Sequence, residues 1–497
     1  MSNNIKKNVV INSLIYSVGG LLMKCCSFFL LPLYTAYLTT VDYGITSIAG
    51  SFVSTMSFIV AFSLFSAIMR FFVDLKDDAE RLKRFYGTVS VFVFLSSIVF
   101  GIVLTIFRSL LTKYVFSGID YYPIILVCLV SLVFQCQHTI FDNILRSQQK
   151  AFKSSLFSIL YFLLTVVLNI VFVVIFRMGA VGSLLATLIS SAVYVAYFCV
   201  EMLIQKTIKI CLDWKLLKSA LAYSIPIIPH NLSTSIAALV SKVLIGGASS
   251  LASVGIYSVS MQFGQIADVV QGYVDNAYGP WLYEKLHNRE EDYKNNIRGT
   301  AKVLTAVIGL FFLGISLFAQ DYIILFVNKE FADAWKYVPL IVTVFAVKTM
   351  YYFYVEVLFY YKKASKYLFS ATLTSSIINV FLSVFLISMW GIYGSILADF
   401  ICMIIRVGIV YILSRKFEDI GLYLRDFIVN FFVVEAFMFG GLFLSYVRFQ
   451  YVFSFTNFIY KILVIVLYIV FSFILNKKYF KPILLAIKHK YIKKDMR

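Results

Sequence analysis

Apolar runs of about 20 residues follow one another from residue 9 to residue 476 with only short polar breaks between them. That length is what a helix needs to cross a hydrocarbon core of about 30 Å, and a chain that repeats it throughout has no room for a sizeable water-soluble domain. A bilayer core offers the backbone no water, so each run must satisfy its own N–H and C=O groups, which a helix does locally. Strands of a membrane barrel would alternate polar and apolar residues over about 10 positions, and these runs are continuously apolar for longer than that.

The runs place spans at 9–36, 46–69, 86–107, 122–146, 155–176, 180–203, 222–246, 251–282, 301–327, 337–360, 367–389, 391–414, 426–447 and 457–476. The expectation is therefore an all-α polytopic membrane protein of fourteen transmembrane helices. Composition agrees: 61% of residues are hydrophobic and 14% charged, against roughly 45–50% and about 25% in soluble domains. The first run is longer than the core of a signal peptide, so it is expected to be retained as a helix. Seven cysteines, Cys25, Cys26, Cys128, Cys136, Cys199, Cys211 and Cys402, lie in or beside apolar runs without a C-x-x-C. They read as small core residues and not as ligands or disulfides.

Lysine and arginine orient the chain, because cytoplasmic loops are enriched in them. With the N-terminus inside, 34 of the 44 basic residues fall on the inner side and seven on the outer, while Lys24, Lys242 and Lys348 fall within spans. Both termini are thus expected in the cytoplasm. The net charge of +19 is accounted for without nucleic acid, and the basic C-terminal tail is expected to lie on anionic membrane lipid.

A repeat is embedded in the chain. "GAVGSLLATLIS" (179–190) returns as "GIYGSILADFIC" (391–402), "GITSIA" (44–49) as "GIYSVS" (255–260), "LIYSV" (14–18) as "LAYSI" (221–225) and "KAFK" (150–153) as "KASK" (363–366). Four anchors in one order at offsets of 207 to 213 indicate a duplication. Each copy holds six spans, an even number, so the two lobes should be related by an axis along the membrane normal, with a substrate site near the midplane. The boundaries expected are 1–205 for the N-terminal lobe, 206–418 for the C-terminal lobe, and 419–497 for helices 13 and 14 with the basic tail.

A charge at a helix centre costs roughly 2.5–3.5 kcal/mol on insertion scales, so each one asks for a reason. Lys24 lies roughly 22 Å and 18 Å from the two ends of its span, and Lys348 about 17 Å from either end of its own. Neither can reach the headgroups. Lys242, near the outer end of its span, is expected to snorkel. On the eighth span Gln262, Gln265, Asp268, Gly272 and Asp275 share one face, and on the first span Ser13, Ser17, Gly20, Lys24 and Ser27 do the same. The repeat sets Lys24 against Asn231, beside His230, and Lys348 against Gln135, close to His138. Lys24, Lys348, His230, Asn231, Gln135, His138, Gln262 and Gln265 are therefore the candidate cavity residues, and Asp268 and Asp275 the candidates for ion coupling. A competing reading makes Lys24 and Asp268 a buried structural ion pair. Pro226 and Pro229 each remove a backbone donor and are candidate hinge positions; Pro280 is expected to end the eighth helix. No P-loop, zinc spacing or nucleophile elbow is present.

With six-helix halves in place, the chain resembles the polysaccharide flippases (Wzx-type, O-antigen) of the multidrug/oligosaccharidyl-lipid/polysaccharide exporter (MOP) superfamily. The resemblance rests on "VDYGITSIAG", "MRFFVD" (69–74), "ILRSQQKA" (144–151), "YSIPIIP", "GIYSVS", "YGPWLYE" (278–284) and the G-x-x-G-S turns, in that superfamily's order. It implies a MATE-like fold in a bacterial inner membrane. The implied activity is the transfer of undecaprenyl-pyrophosphate-linked oligosaccharide between leaflets, without catalysis or cofactor. A coupling ion, Na⁺ or H⁺, is left open. The implied state is a monomer, with a polysaccharide polymerase and chain-length machinery as partners. The alternatives are a cation-coupled multidrug exporter of the same fold and an integral-membrane polymerase or ligase; the latter would need a larger outer segment than residues 108–121 provide.

Overall fold

A computed structural model describes residues 20, 23–24, 26–361, 364–450 and 452–480. Among these residues the chain is helical, with no strand. The helices are α1 (Leu31–Tyr37), α2 (Thr40–Val60), α3 (Leu64–Leu75), α4 (Ala79–Ile106), α5 (Leu126–Ser147), α6 (Ala151–Asn169), α7 (Gly179–Ile204) and α8 (Trp214–Ser224). They continue as α9 (Ile228–Ala248), α10 (Leu251–Asn288), α11 (Tyr293–Phe326), α12 (Val338–Tyr360), α13 (Ser365–Phe417), α14 (Leu424–Phe449) and α15 (Phe455–Leu475).

Local chemistry sets where several begin. Thr39 caps α2 by accepting the Asp42 N–H at 3.1 Å, and the Asp42 carboxylate accepts the Thr39 N–H at 3.2 Å, a capping box. Asp78 caps α4 and Asp213 caps α8 in the same manner, through their side chains. Gly179 and Gly391, the first glycines of the repeated turn, have φ of +56° and +55°. That left-handed backbone is strained for any residue with a Cβ, which is why both copies of the motif carry glycine there.

Among the described residues ten helices are long and apolar enough to cross a membrane, or eleven if the bent stretch from Trp214 to Ala248 is one span. α13 is one of the ten, yet its 53 residues are far too long for a single crossing, and the break at Gly391 divides it where two spans are predicted. α10 is not among them, because Gln262, Gln265, Asp268, Gln271 and Asp275 make it too polar. Each predicted span from the second to the fourteenth falls on helix, the second with a break at residues 61–63, whereas half of the first lies outside the described residues. The number fourteen thus stays an expectation.

Two compact units emerge: residues up to Ser258 with Val380–Ile392, and Val259–Asn379 with the residues from Tyr393 on. The core of the first packs Phe85, Tyr86, Ile140, Phe198 and Leu217. The core of the second packs Tyr278, Leu282, Phe353, Tyr354 and Phe427. Exposed apolar side chains, such as Leu156, Leu160, Leu163 and Val167 on α6, form the faces suited to lipid.

Two expectations are corrected. Pro280 does not end its helix, since α10 runs on to Asn288. Lys242 does not snorkel, as described below. Arg406 lies inside α13 and donates to Ser375 Oγ at 2.8 Å, and Lys461 is fully buried within α15.

Candidate functional site

Within the first unit, α2 and the start of α10 meet through residues that the repeat makes equivalent. A Cβ on Gly44 would overlap the Leu251 carbonyl, and one on Gly255 would overlap the Thr40 carbonyl. Both pairs are related by 211 residues, so the contact is reciprocal. Between them the equivalent serines touch directly, Ser258 Oγ donating to Ser47 Oγ at 2.7 Å. The caps match too: the Ser253 N–H donates to Ser250 Oγ at 3.1 Å, as the Asp42 N–H does to Thr39. Asp42 additionally accepts the Ala180 N–H at 3.0 Å, fastening the start of α7 to this seam.

Below the seam α9 lies along α2, joined by polar contacts. Asn231 donates to Ser63 Oγ at 3.1 Å, Thr55 donates to the Ser235 carbonyl at 3.3 Å, and Lys242 Nζ donates to Ser51 Oγ at 2.7 Å. The Lys242 ammonium also lies 3.4 Å from the Ser47 carbonyl, so the lysine ends among polar groups of α2 and not at the headgroups. Its stem could have gone either way; the hydroxyls decide. A cleft of about 470 Å³ opens there, walled by Thr46, Ser47, Ser51, Ser54, Thr55 and Lys242. Lys242 has no acidic partner among the described residues. On the other side of α2 a second cavity, of about 600 Å³, is lined by Ser54, Ser131, Gln135, Asn143 and the Asp142–Arg146 ion pair.

In the second unit the polar face of α10 is met by α12. Lys348 Nζ contacts Asp268 Oδ1 at 2.5 Å, and the Tyr352 hydroxyl donates to the same oxygen at 3.4 Å. The ammonium also lies 5.4 Å and 5.3 Å from the Phe345 and Tyr352 ring centres, within cation–π range. Asp268, anticipated as one half of a deep ion pair with Lys24, makes such a pair with Lys348. Asp275 is half-buried, and its Oδ1 has no hydrogen-bond partner among the described residues.

The other candidates fall as follows. Gln135 lines the larger cavity, whereas His138 is stacked on Tyr194 with ring centres 3.9 Å apart. Lys24, Gln265 and His230 are exposed, and Gln262 is partly buried. Ser13 and Ser17 lie outside the described residues. Pro226 sits in a 3₁₀ turn, Ile225–Ile227, and Pro229 in the first turn of α9; the helix bends by 42° between Ser233 and Ser235. Several buried polar contacts escaped the sequence reading: Thr343 with Glu435, Asn379 with Asp399, and Lys461 with Asp321. Only the charge itself could have flagged them, since their partners lie 20 to 140 residues away.

The sequence pattern of the polysaccharide biosynthesis protein family matches residues 9–284, more than half of the chain. The chain belongs to that family. The structure of this polysaccharide biosynthesis family member is similar to that of the lipid II flippase MurJ in its inward closed conformation, with a TM-score of 0.71 at 16% identity, covering 94% of this chain and 99% of that one. It is also similar to an inward-facing multidrug resistance MATE family transporter of the MOP superfamily, with a TM-score of 0.61 at 15% identity over 80% and 97% of the two chains. The Vibrio cholerae MATE transporter VcmN in its bent form gives 0.52 at 16% identity over 83% and 97%. No curated protein sequence matches. The MATE-like fold expected from the sequence is the fold observed, and the protein is a multi-pass membrane protein.

Proposed function

We propose that this protein is a flippase that carries polysaccharide repeat units linked to undecaprenyl pyrophosphate from the inner to the outer leaflet of a bacterial cytoplasmic membrane, by alternating access. The observation that carries the reading is the extent of structural likeness. A flippase fold accounts for 94% of the chain, and MATE transporters for 80–83%, a difference of the size of the two helices outside the duplication. The chemistry supports it. A pyrophosphate entering low dielectric needs cations, and Lys242 and Lys24 offer them without an acidic partner among the described residues.

The multidrug-exporter alternative needs a carboxylate open to an organic cation, and Asp268 is already neutralised by Lys348. Asp275 is then the carboxylate left for a coupling ion, Na⁺ or H⁺. In this reading transport involves no catalysis, both termini face the cytoplasm, and the polymerase and chain-length machinery act on the product outside.

Deleting the gene should leave lipid-linked repeat units accumulating on the cytoplasmic leaflet. Normal delivery to the outer leaflet would defeat the reading, and new sensitivity to cationic drugs in its place would favour the exporter. Lys242→Met should lower flipping about tenfold or more at unchanged membrane abundance, while Lys242→Arg keeps a measurable share, because arginine preserves the charge and still grips phosphate. Equal flipping by wild type and Lys242→Met would remove Lys242 from the substrate path.

A further inference from the structure

A third cavity, of about 450 Å³, lies in the second unit where α11 and α14 begin and α15 ends. The distribution of basic residues assigns that end to the inner leaflet. Its walls include Arg298, Lys302, Arg425, Asp426 and Asn430. Asp426 is shared by two of the cations: Arg298 donates to it from Nε at 2.5 Å and from Nη2 at 3.1 Å, and Lys302 Nζ lies 3.4 Å away. Arg425 is exposed and has no acidic partner among the described residues. Three cations thus face one carboxylate.

Asn430 adds an independent sign. It is only 4% exposed, it lines this cavity, and its Nδ2 donates to nothing among the described residues. A buried N–H left without an acceptor costs about 1–3 kcal/mol, so its presence beside surplus cations asks for an anionic oxygen from outside the chain. The first turn of α14 contributes the positive end of a helix of 26 residues to the same place. Val429 and Leu475, both about 40% exposed, form the side of the cavity that faces lipid. Tyr423 lies against Arg298, 4.7 Å from ring centre to guanidinium carbon, and Tyr479 lies 5.4 Å from Lys302 Nζ.

The geometry points to a binding site for the phosphate of an anionic glycerophospholipid of the inner leaflet, entering sideways from the bilayer with its headgroup among Arg298, Lys302, Arg425 and Asn430. The cavity, of about 450 Å³, has room for a phosphodiester headgroup. Nothing in this assignment depends on the transported substrate. Basic pockets between transmembrane helices on the cytoplasmic side are suited to such headgroups.

The test is native mass spectrometry of the purified full-length protein in detergent, titrated separately with phosphatidylglycerol, phosphatidylcholine and undecaprenyl phosphate. Wild type should hold phosphatidylglycerol in preference to phosphatidylcholine. Arg425→Gln should weaken that binding about fivefold, the worth of one basic residue at a membrane surface. Asn430→Asp, nearly isosteric but carrying a like charge, should weaken it about tenfold. Because Arg425 is exposed, its variant folds irrespective of the outcome at Asn430. Unchanged phosphatidylglycerol binding in both variants overturns the assignment. So does equal affinity for phosphatidylcholine, or a loss confined to undecaprenyl phosphate.

Discussion

Replacing Lys461 by alanine is expected to destabilise the protein by about 3–5 kcal/mol, the cost of leaving the other half of a buried ion pair uncompensated. The Lys461 side chain is 0% exposed and that of Asp321 6%, with Nζ and Oδ2 2.6 Å apart; the Gln320 side-chain oxygen Oε1 accepts from the same ammonium at 3.3 Å. Removing the lysine strands a carboxylate among the apolar residues of α11 and α15. Asp321→Ala should harm the protein comparably, by stranding the ammonium. The double change Lys461→Met with Asp321→Leu removes both charges and fills the space, and should recover most of the loss. Thermal melting of the purified variants in detergent reads the series. A Lys461→Ala protein that melts like wild type would show that water or detergent reaches the carboxylate.

The second large effect lies at the seam. Gly44→Ala should abolish transport while the protein still reaches the membrane, since its Cβ would overlap the backbone carbonyl of Leu251, which cannot rotate out of the way. Gly255→Ala should do the same against Thr40, whereas Gly101→Ala, with nothing within 4 Å of its Cβ, should be silent. Cysteines placed at 47 and 258, where the serine hydroxyls are 2.7 Å apart, provide a readout independent of transport. They should cross-link readily in the parent and poorly beside Gly44→Ala. Full transport together with full cross-linking in the Gly44→Ala protein would mean that the contact is slack.

Much of this architecture was legible in the chain because it depends on local quantities. The length of an apolar run sets a span, and a repeated glycine marks a repeated left-handed turn, as at Gly179 and Gly391. What was not legible depends on azimuth and on distant partners. Sequence gives the height of Lys348 and of Asp268 in the membrane but not which neighbour each helix face meets, so their pairing emerged only from the packing of α10 on α12. The partners of Lys242 were hidden too, because the hydroxyl of Ser51 belongs to a helix almost two hundred residues earlier. The interruption between α2 and α3 was equally hidden. Phe62 and Ser63 take φ of +50° and +51° without glycine or proline to announce it, and Ser63 meets Asn231 from 168 residues away.

The reciprocity at the seam carries an implication of symmetry. When residue 44 rests on 251 and residue 255 on 40, while 47 meets 258, each contact occurs twice and the equivalent residues meet themselves. That is the signature of an isologous two-fold interface. A single copy of the motif could bind a second copy of itself through the same glycine and serine. Every mutation there would then strike both sides at once. In one polypeptide the two faces are free of that constraint, and here they differ: Asp42 accepts the Ala180 N–H, whereas its counterpart position holds Ser253.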